Sequence, residues 1–169
     1  MKVALLVDDK PELRHVFKLI ITRYSDDFKI IEASTGKEAV ALYRKYKPDI
    51  VFMDMVMPVM EGDEATHIIK KLDPSAHIVV VSAFAENGTA EKLVEDGFAT
   101  IVLTKPPDLG DLIKELDSIK INTLREEDTG IFYIQELDKE AEEVYESLNI
   151  TDEDIKNCED ETKHISPYD

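Results

Sequence analysis

Residues 48–62 read Pro48-Asp49-Ile50-Val51-Phe52-Met53-Asp54-Met55-Val56-Met57-Pro58-Val59-Met60-Glu61-Gly62, and this stretch decides the fold. Pro48 breaks the helical pattern before it, because proline lacks the amide hydrogen that a helix interior needs. Ile50–Met53 is then a run that is apolar at every position. Such a run, without polar alternation, is what a strand shows when both faces of its sheet are covered. It stops on the carboxylate of Asp54. After a proline-containing loop, Gly62-Asp63 opens a helical pattern through Ile68, Ile69 and Leu72, closed by Asp73-Pro74.

The same alternation extends in both directions. Upstream, Val3–Val7 is a strand stopped by Asp8-Asp9. Pro11 suits a first helical turn, and Leu13, Val16/Phe17, Ile20 and Tyr24 follow at helical spacing. Phe28–Ala33 is a second strand. Ser34 or Thr35 caps a helix to Tyr46 whose face carries Ala39, Leu42 and Tyr46. Downstream, Ile78–Ser82 is the fourth strand, Thr89 caps a short helix ending before Gly97, and Thr100–Leu103 is the fifth strand. Asp108 starts a last helix through Leu112, Ile113, Leu116 and Ile119. Five strands alternating with five helices predict a doubly wound, parallel α/β domain.

Composition limits what such a domain can do. The chain has 169 residues, with 20 Lys and Arg against 37 Asp and Glu, a net charge of −17. That charge argues against direct binding to DNA, RNA or anionic membranes, since phosphate recognition needs clustered cations. The single cysteine, Cys158, excludes an intrachain disulfide and fits a reducing compartment. Its neighbours Glu159, Asp160 and Glu161 disfavour a reactive thiolate. There is no charged-then-apolar leader, and no apolar run approaches the ~18 residues of a membrane span. These features predict a soluble, cytoplasmic protein. The charge is uneven: residues 1–122 carry −5 and residues 123–169 carry −12. The break near Asn122–Thr123 divides the chain into a balanced domain, 1–122, and an acidic tail, 123–169.

In doubly wound sheets the ligand site lies beyond the carboxyl ends of the strands. Asp8-Asp9 follow the first strand, Asp54 the third, Ser82 the fourth and Thr104-Lys105-Pro106 the fifth. Alone, each has a plainer reading: an Asp-Asp pair makes turns and caps, and a serine or a Lys-Pro pair says little. Together they put three carboxylates, a hydroxyl and an ammonium on one rim. Clustered carboxylates repel unless a cation joins them, and a hard ion with oxygen ligands, Mg²⁺, is the candidate. Lys105 can pair with Asp54 at rest and with a phosphoryl group later. These are the parts that phosphoryl transfer needs. His15 reads as a surface residue, and His67, His77 and His164 share no metal-ligand spacing.

With Asp8-Asp9, the block Met53–Gly62, Ser82-Ala83 and Lys105-Pro106 in this order, residues 1–122 resemble the receiver domain of two-component response regulators. The resemblance implies a flavodoxin-like sheet in the order 2-1-3-4-5. It implies Asp54 as phosphoacceptor, Asp8, Asp9, Asp54 and the Val56 carbonyl as Mg²⁺ ligands, Ser82 as switch hydroxyl and Lys105 as phosphoryl-binding cation, with a cis Lys105–Pro106 bond. It implies phosphoryl transfer from a sensor histidine kinase or a histidine phosphotransfer protein, and output through a downstream protein target. Beyond its own phosphorylation and dephosphorylation, no enzymatic activity is expected. Two departures matter. Val102 stands where the family often has a switching aromatic ring, and Val56 and Phe84 are apolar where polar residues can orient water. The second predicts slow loss of the phosphoryl group.

The tail lacks a basic recognition helix, so no DNA-binding output domain is expected. Ile131, Ile134, Leu137, Ala141, Val144 and Leu148 form one apolar stripe at helical spacing, and Thr151–Asp154 resembles a cap for a second short helix. The stripe reads as a helical extension packed on its own domain or simply solvated, or as a surface for docking or homodimer formation. The last dozen residues read as disordered. An alternative function is a phosphorylation-independent interaction module acting through this tail. A nucleotide binder would want a Gly-rich loop where Asp8-Asp9-Lys10-Pro11 stands.

Overall fold

The computed structural model describes residues 1–83 and 88–129. The elements follow in order as β1 (Lys2–Val7), α1 (Pro11–Tyr24), β2 (Phe28–Ala33), α2 (Gly36–Tyr46), β3 (Ile50–Asp54), α3 (Gly62–Leu72), β4 (Ile78–Ser82), α4 (Thr89–Glu95), β5 (Ile101–Thr104) and α5 (Leu109–Thr129). The strands form one parallel sheet in the order β2-β1-β3-β4-β5. Both the α/β class and the strand order therefore match the sequence expectation.

Strand side chains alternate between the two faces, and each face is apolar for its own helices. Leu5, Val7, Val51, Met53 and Ile78 pack with Ala39, Val40, Leu42 and Tyr43 of α2 and with Ala65, Ile68, Ile69 and Leu72 of α3. Ala4, Leu6, Ile50, Phe52, Val79, Val81 and Leu103 pack on the other face with Phe17 and Ile21 of α1 and Leu112, Leu116 and Ile119 of α5. A third cluster sets Ala90 and Leu93 of α4 against Val80, with Val102 at its margin. Covering both faces explains why the strands read as unbroken apolar runs.

Local chemistry sets the boundaries. Thr35 caps α2 by accepting from the Glu38 N–H at 3.2 Å, and Glu38 returns a carboxylate to the Ser34 N–H at 2.7 Å. Asp108 caps α5 through the N–H groups of Gly110 and Asp111, at 2.9 and 3.1 Å. Three expectations need correction. The buried stripe of α1 is Arg14, Phe17 and Ile21, not the line through Val16, which is 42 % exposed. Burial of the Arg14 guanidinium turns the helix so that Val16 faces outward. Thr89 is the first residue of α4 rather than its cap, a position that Gly88 takes in a left-handed conformation, φ 67°. β5 begins at Ile101 rather than Thr100 and includes Thr104. α5 also continues unbroken across Asn122–Thr123, so the change in charge falls within a helix. Phe84 and the tail readings from Ile131 onward lie outside the described residues.

Candidate functional site

β1, β3 and β5 end together and deliver the charged groups. The Asp8 N–H donates to the Ala33 carbonyl at 3.1 Å, extending the β1–β2 pairing by one residue. The Asp8 side chain accepts from the Lys10 N–H at 2.9 Å, which shapes the turn into α1. Asp54 closes β3 opposite Val81 of β4. The next residue of that strand is Ser82, itself opposite Thr104. The Ser82 carbonyl accepts from the Lys105 N–H at 3.0 Å, and the Lys105–Pro106 bond is cis.

The Lys105 ammonium lies between two carboxylates, 2.5 Å from Asp8 Oδ2 and 2.9 Å from Asp54 Oδ1. All three side chains are nearly removed from solvent, so the attraction is much less screened than at a surface. Burial raises the Asp54 carboxyl above the usual carboxylate range. The hydrogen bond and charge of Lys105 work against that rise, the Asp8 charge adds to it, and the Val56 N–H at 3.3 Å lowers it slightly. Carboxylate oxygens of Asp8, Asp9 and Asp54 all lie within 4.8 Å of one another. Oδ1 of Asp9 is buried without a hydrogen-bond partner among the described residues. Buried acceptors are rarely left unsatisfied, and an unsatisfied one in a carboxylate cluster points to a cation.

Sequence reasoning named Asp8, Asp9, Asp54, Val56, Ser82 and Lys105, and the fold brings them to one end of the sheet. It missed three supports. Arg14 is buried, with Nη1 donating to the Asp8 carbonyl at 2.7 Å and Nε to Glu32 at 3.1 Å; Lys18 meets the other Glu32 oxygen at 3.3 Å. The signal was an arginine on the apolar side of α1 and a buried glutamate between the apolar residues Ile31 and Ala33 of β2. Gly62 is the second support: a Cβ there would stand 1.9 Å from the Asp54 carbonyl oxygen. The third is Val59, whose φ of 71° places it in a tight turn closed by the Met60 N–H on the Pro58 carbonyl at 2.8 Å. That conformation is unusual for a β-branched residue. Val56 and Val59 are 74 % and 84 % exposed beside the site. His15 is exposed, His67 stacks on Phe98 at 4.2 Å, and His77 pairs with Glu115 at 3.0 Å. Among the described residues, no helix is long and apolar enough to cross a membrane.

The family model for the response regulator receiver domain matches residues 4–117. Chemotaxis protein CheY of Halobacterium salinarum is 39 % identical over 109 residues, covering 62 % of this chain and 88 % of that protein. Chemotaxis protein CheY of Thermotoga maritima is 36 % identical over 118 residues, covering 70 % and 97 %. Among solved structures, the CheX–CheY–BeF₃–Mg²⁺ complex of Borrelia burgdorferi is similar with a TM-score of 0.60 and 29 % identity, covering 70 % of this chain and 88 % of that one.

Proposed function

Because this chain belongs to the response regulator receiver domain family, we propose that it accepts a phosphoryl group on Asp54 from a phosphohistidine donor and signals through protein contacts. The chain is a receiver of two-component signal transduction, a family whose general mechanism is phosphorylation of an aspartate and whose members bind Mg²⁺ at an acidic pocket. CheY-like receivers interact with histidine kinases and downstream targets. The observation that carries the finer reading is the buried Asp8–Lys105–Asp54 bridge beside the unpartnered Asp9 oxygen.

The donor set fits Mg²⁺: hard carboxylate oxygens, close together, one of them unsatisfied. Asp8, Asp9, Asp54 and the Val56 carbonyl would hold it. When bound, the ion neutralises charge on the carboxylates and on the incoming phosphoryl oxygens. The rest falls to this chain's own groups. Lys105 and the Val56 N–H both contact Oδ1 of the Asp54 carboxylate, and the other oxygen, Oδ2, is assigned here as the nucleophile. Its lone pair forms the new O–P bond. The bond from phosphorus to the donor imidazole nitrogen breaks, and that nitrogen keeps the electron pair. Lys105 moves its charge from the carboxylates to a phosphoryl oxygen, and the Ser82 hydroxyl donates to another. In hydrolysis a water oxygen attacks phosphorus, releasing phosphate and restoring the Asp54 carboxylate. Val56 offers that water no polar group.

No further enzymatic activity is proposed for the chain, nor direct DNA binding. With Val102 in place of an aromatic ring, the switch rests on Ser82 and Lys105. Beryllofluoride with Mg²⁺ stands in for the phosphoryl group and tests this directly. Amide resonances of Ser82, Ala83 and Lys105 should shift on its addition and stay in place with the Asp54→Ala variant. Shifts confined to residues outside the strand ends would contradict the reading.

A further inference from the structure

Every polar group of Asp8 is engaged. Its N–H donates to the Ala33 carbonyl at 3.1 Å, Oδ1 accepts from the Lys10 N–H at 2.9 Å, and Oδ2 meets Lys105 at 2.5 Å. Its carbonyl accepts from Nη1 of the buried Arg14 at 2.7 Å. A charged donor makes that last bond one of the stronger kind. The Asp8 carbonyl, the Asp9 nitrogen and the Asp9 Cα share one peptide plane. The bond that fixes the carbonyl therefore fixes the backbone from which the Asp9 side chain departs. Asp9 is the member of the carboxylate cluster whose Oδ1 is buried with no hydrogen-bond partner among the described residues. The peptide plane is what aims that oxygen.

Arg14 is itself held. Its Nε donates to Glu32 at 3.1 Å, and the other Glu32 oxygen meets Lys18 at 3.3 Å. Glu32 lies opposite Leu6 in the β1–β2 pairing, so the guanidinium spans from β2 to the end of β1. By charge alone a cation behind a metal site is a liability, because it repels a divalent ion. Glu32 cancels that charge and leaves the geometry. A lysine has no planar fork with which to meet a carboxylate and a carbonyl together. Resting on the reading of the Asp54 site as a Mg²⁺ site, we propose that Arg14 is a positioning residue for the ion. Through the Asp8 carbonyl it sets the direction of the Asp9 carboxylate, and so favours Mg²⁺ over a larger cation. Mg²⁺ demands near-ideal octahedral geometry, whereas Ca²⁺ accepts irregular sets of oxygen ligands.

Titrations of the full chain with Mg²⁺ and with Ca²⁺, followed by the amide resonances of Val56 and Lys105, test this. The main variant combines Arg14→Met with Glu32→Gln, which removes both buried charges together. Leu6, Phe17, Phe52 and Val81 line the small cavity beside Arg14 and offer the methionine apolar neighbours. Because the pair leaves as a neutral unit, charge alone predicts unchanged Mg²⁺ binding. Positioning predicts a Mg²⁺ Kd raised about tenfold, the scale for removing a group that orients a metal ligand. The Ca²⁺ Kd should rise less than about threefold. Arg14→Lys keeps a cation against Glu32 and so guards against loss of the fold; it should weaken Mg²⁺ in the same direction. Melts without metal establish that each variant is folded at the titration temperature. Mg²⁺ affinity unchanged in both variants, or equal losses of Mg²⁺ and Ca²⁺, would overturn the proposal. A parent chain that binds no Mg²⁺ would overturn the reading of the site beneath it as well.

Discussion

Lys105 sets the resting state of the site, since it holds Asp8 and Asp54 together at 2.5 and 2.9 Å. Replacing it removes the fixed cation that the phosphoryl oxygens would meet. Lys105→Ala should slow acyl-phosphate formation about 100-fold, the scale of losing one preorganised electrostatic group; a rate within twofold of the parent would remove Lys105 from the chemistry. Tyr43 shows the same physics in a structural role. Its buried hydroxyl donates to Asp73, and burial together with the Asp73 carboxylate pushes the phenol well above its usual range, so it stays a neutral donor. Burial works to raise the Asp73 carboxyl, but hydrogen bonds from Ser75 and Tyr43 outweigh it and leave the carboxyl below its ordinary value. A carboxyl depressed on folding contributes stability above its unfolded pKa and loses it as pH falls through the folded one. Tyr43→Phe should therefore cost about 1–2 kcal/mol at pH 7, as for a hydrogen bond to a partly exposed charged acceptor. The deficit should shrink once Asp73 is protonated. Urea melts of both proteins from pH 7 down to well below the ordinary carboxylate range follow the deficit, and a deficit that stays constant to the acid limit of folding would refute the coupling.

The β3–α3 loop works as an element because both of its ends are fixed. Gly62 begins α3 against the Asp54 carbonyl, with its N–H on the Met55 carbonyl at 3.0 Å. Gly62→Ala would drive a methyl group into backbone that cannot yield, at a cost of about 3 kcal/mol, the upper range for overpacking. It should also displace Asp54. Thermal melts alongside phosphorylation yield measure both, and an unchanged melt would show that the loop gives way. Val56 offers the complementary test, because its 74 % exposed side chain can change without disturbing the core. Val56→Asn should shorten the acyl-phosphate lifetime about tenfold, the scale of one neutral hydrogen bond to the attacking water. A longer lifetime in Val56→Asn would mean that the apolar side chain is not what slows hydrolysis. The elements themselves were legible wherever one signal dominated: unbroken apolar runs for β1, β3 and β4, the Thr35/Glu38 cap and the Asp108 cap. The face of α1 was not, because a buried arginine inverts the rule that charge points outward. Arg14 is there to satisfy the Asp8 carbonyl and Glu32, a tertiary reason that no window of helical spacing contains.

At the scale of the molecule, strand order turns four dispersed motifs into one site. β1 and β3 are neighbours, β4 follows, and β5 brings Lys105 back across to Asp8, 97 residues away in sequence. The residue types at the strand ends were readable from the sequence. Their arrangement was not: the Asp8–Lys105 contact and the unpartnered Asp9 oxygen exist only once the loops are packed. The central claim concerns this site. Intact mass after incubation with acetyl phosphate and Mg²⁺ tests it, with Asp54→Ala and an EDTA-treated sample beside it. The account predicts a gain of about 80 Da, one phosphoryl group in balance, that is absent in both controls. A gain that persists in Asp54→Ala, or none with acetyl phosphate and no Mg²⁺-dependent beryllofluoride binding either, would contradict it.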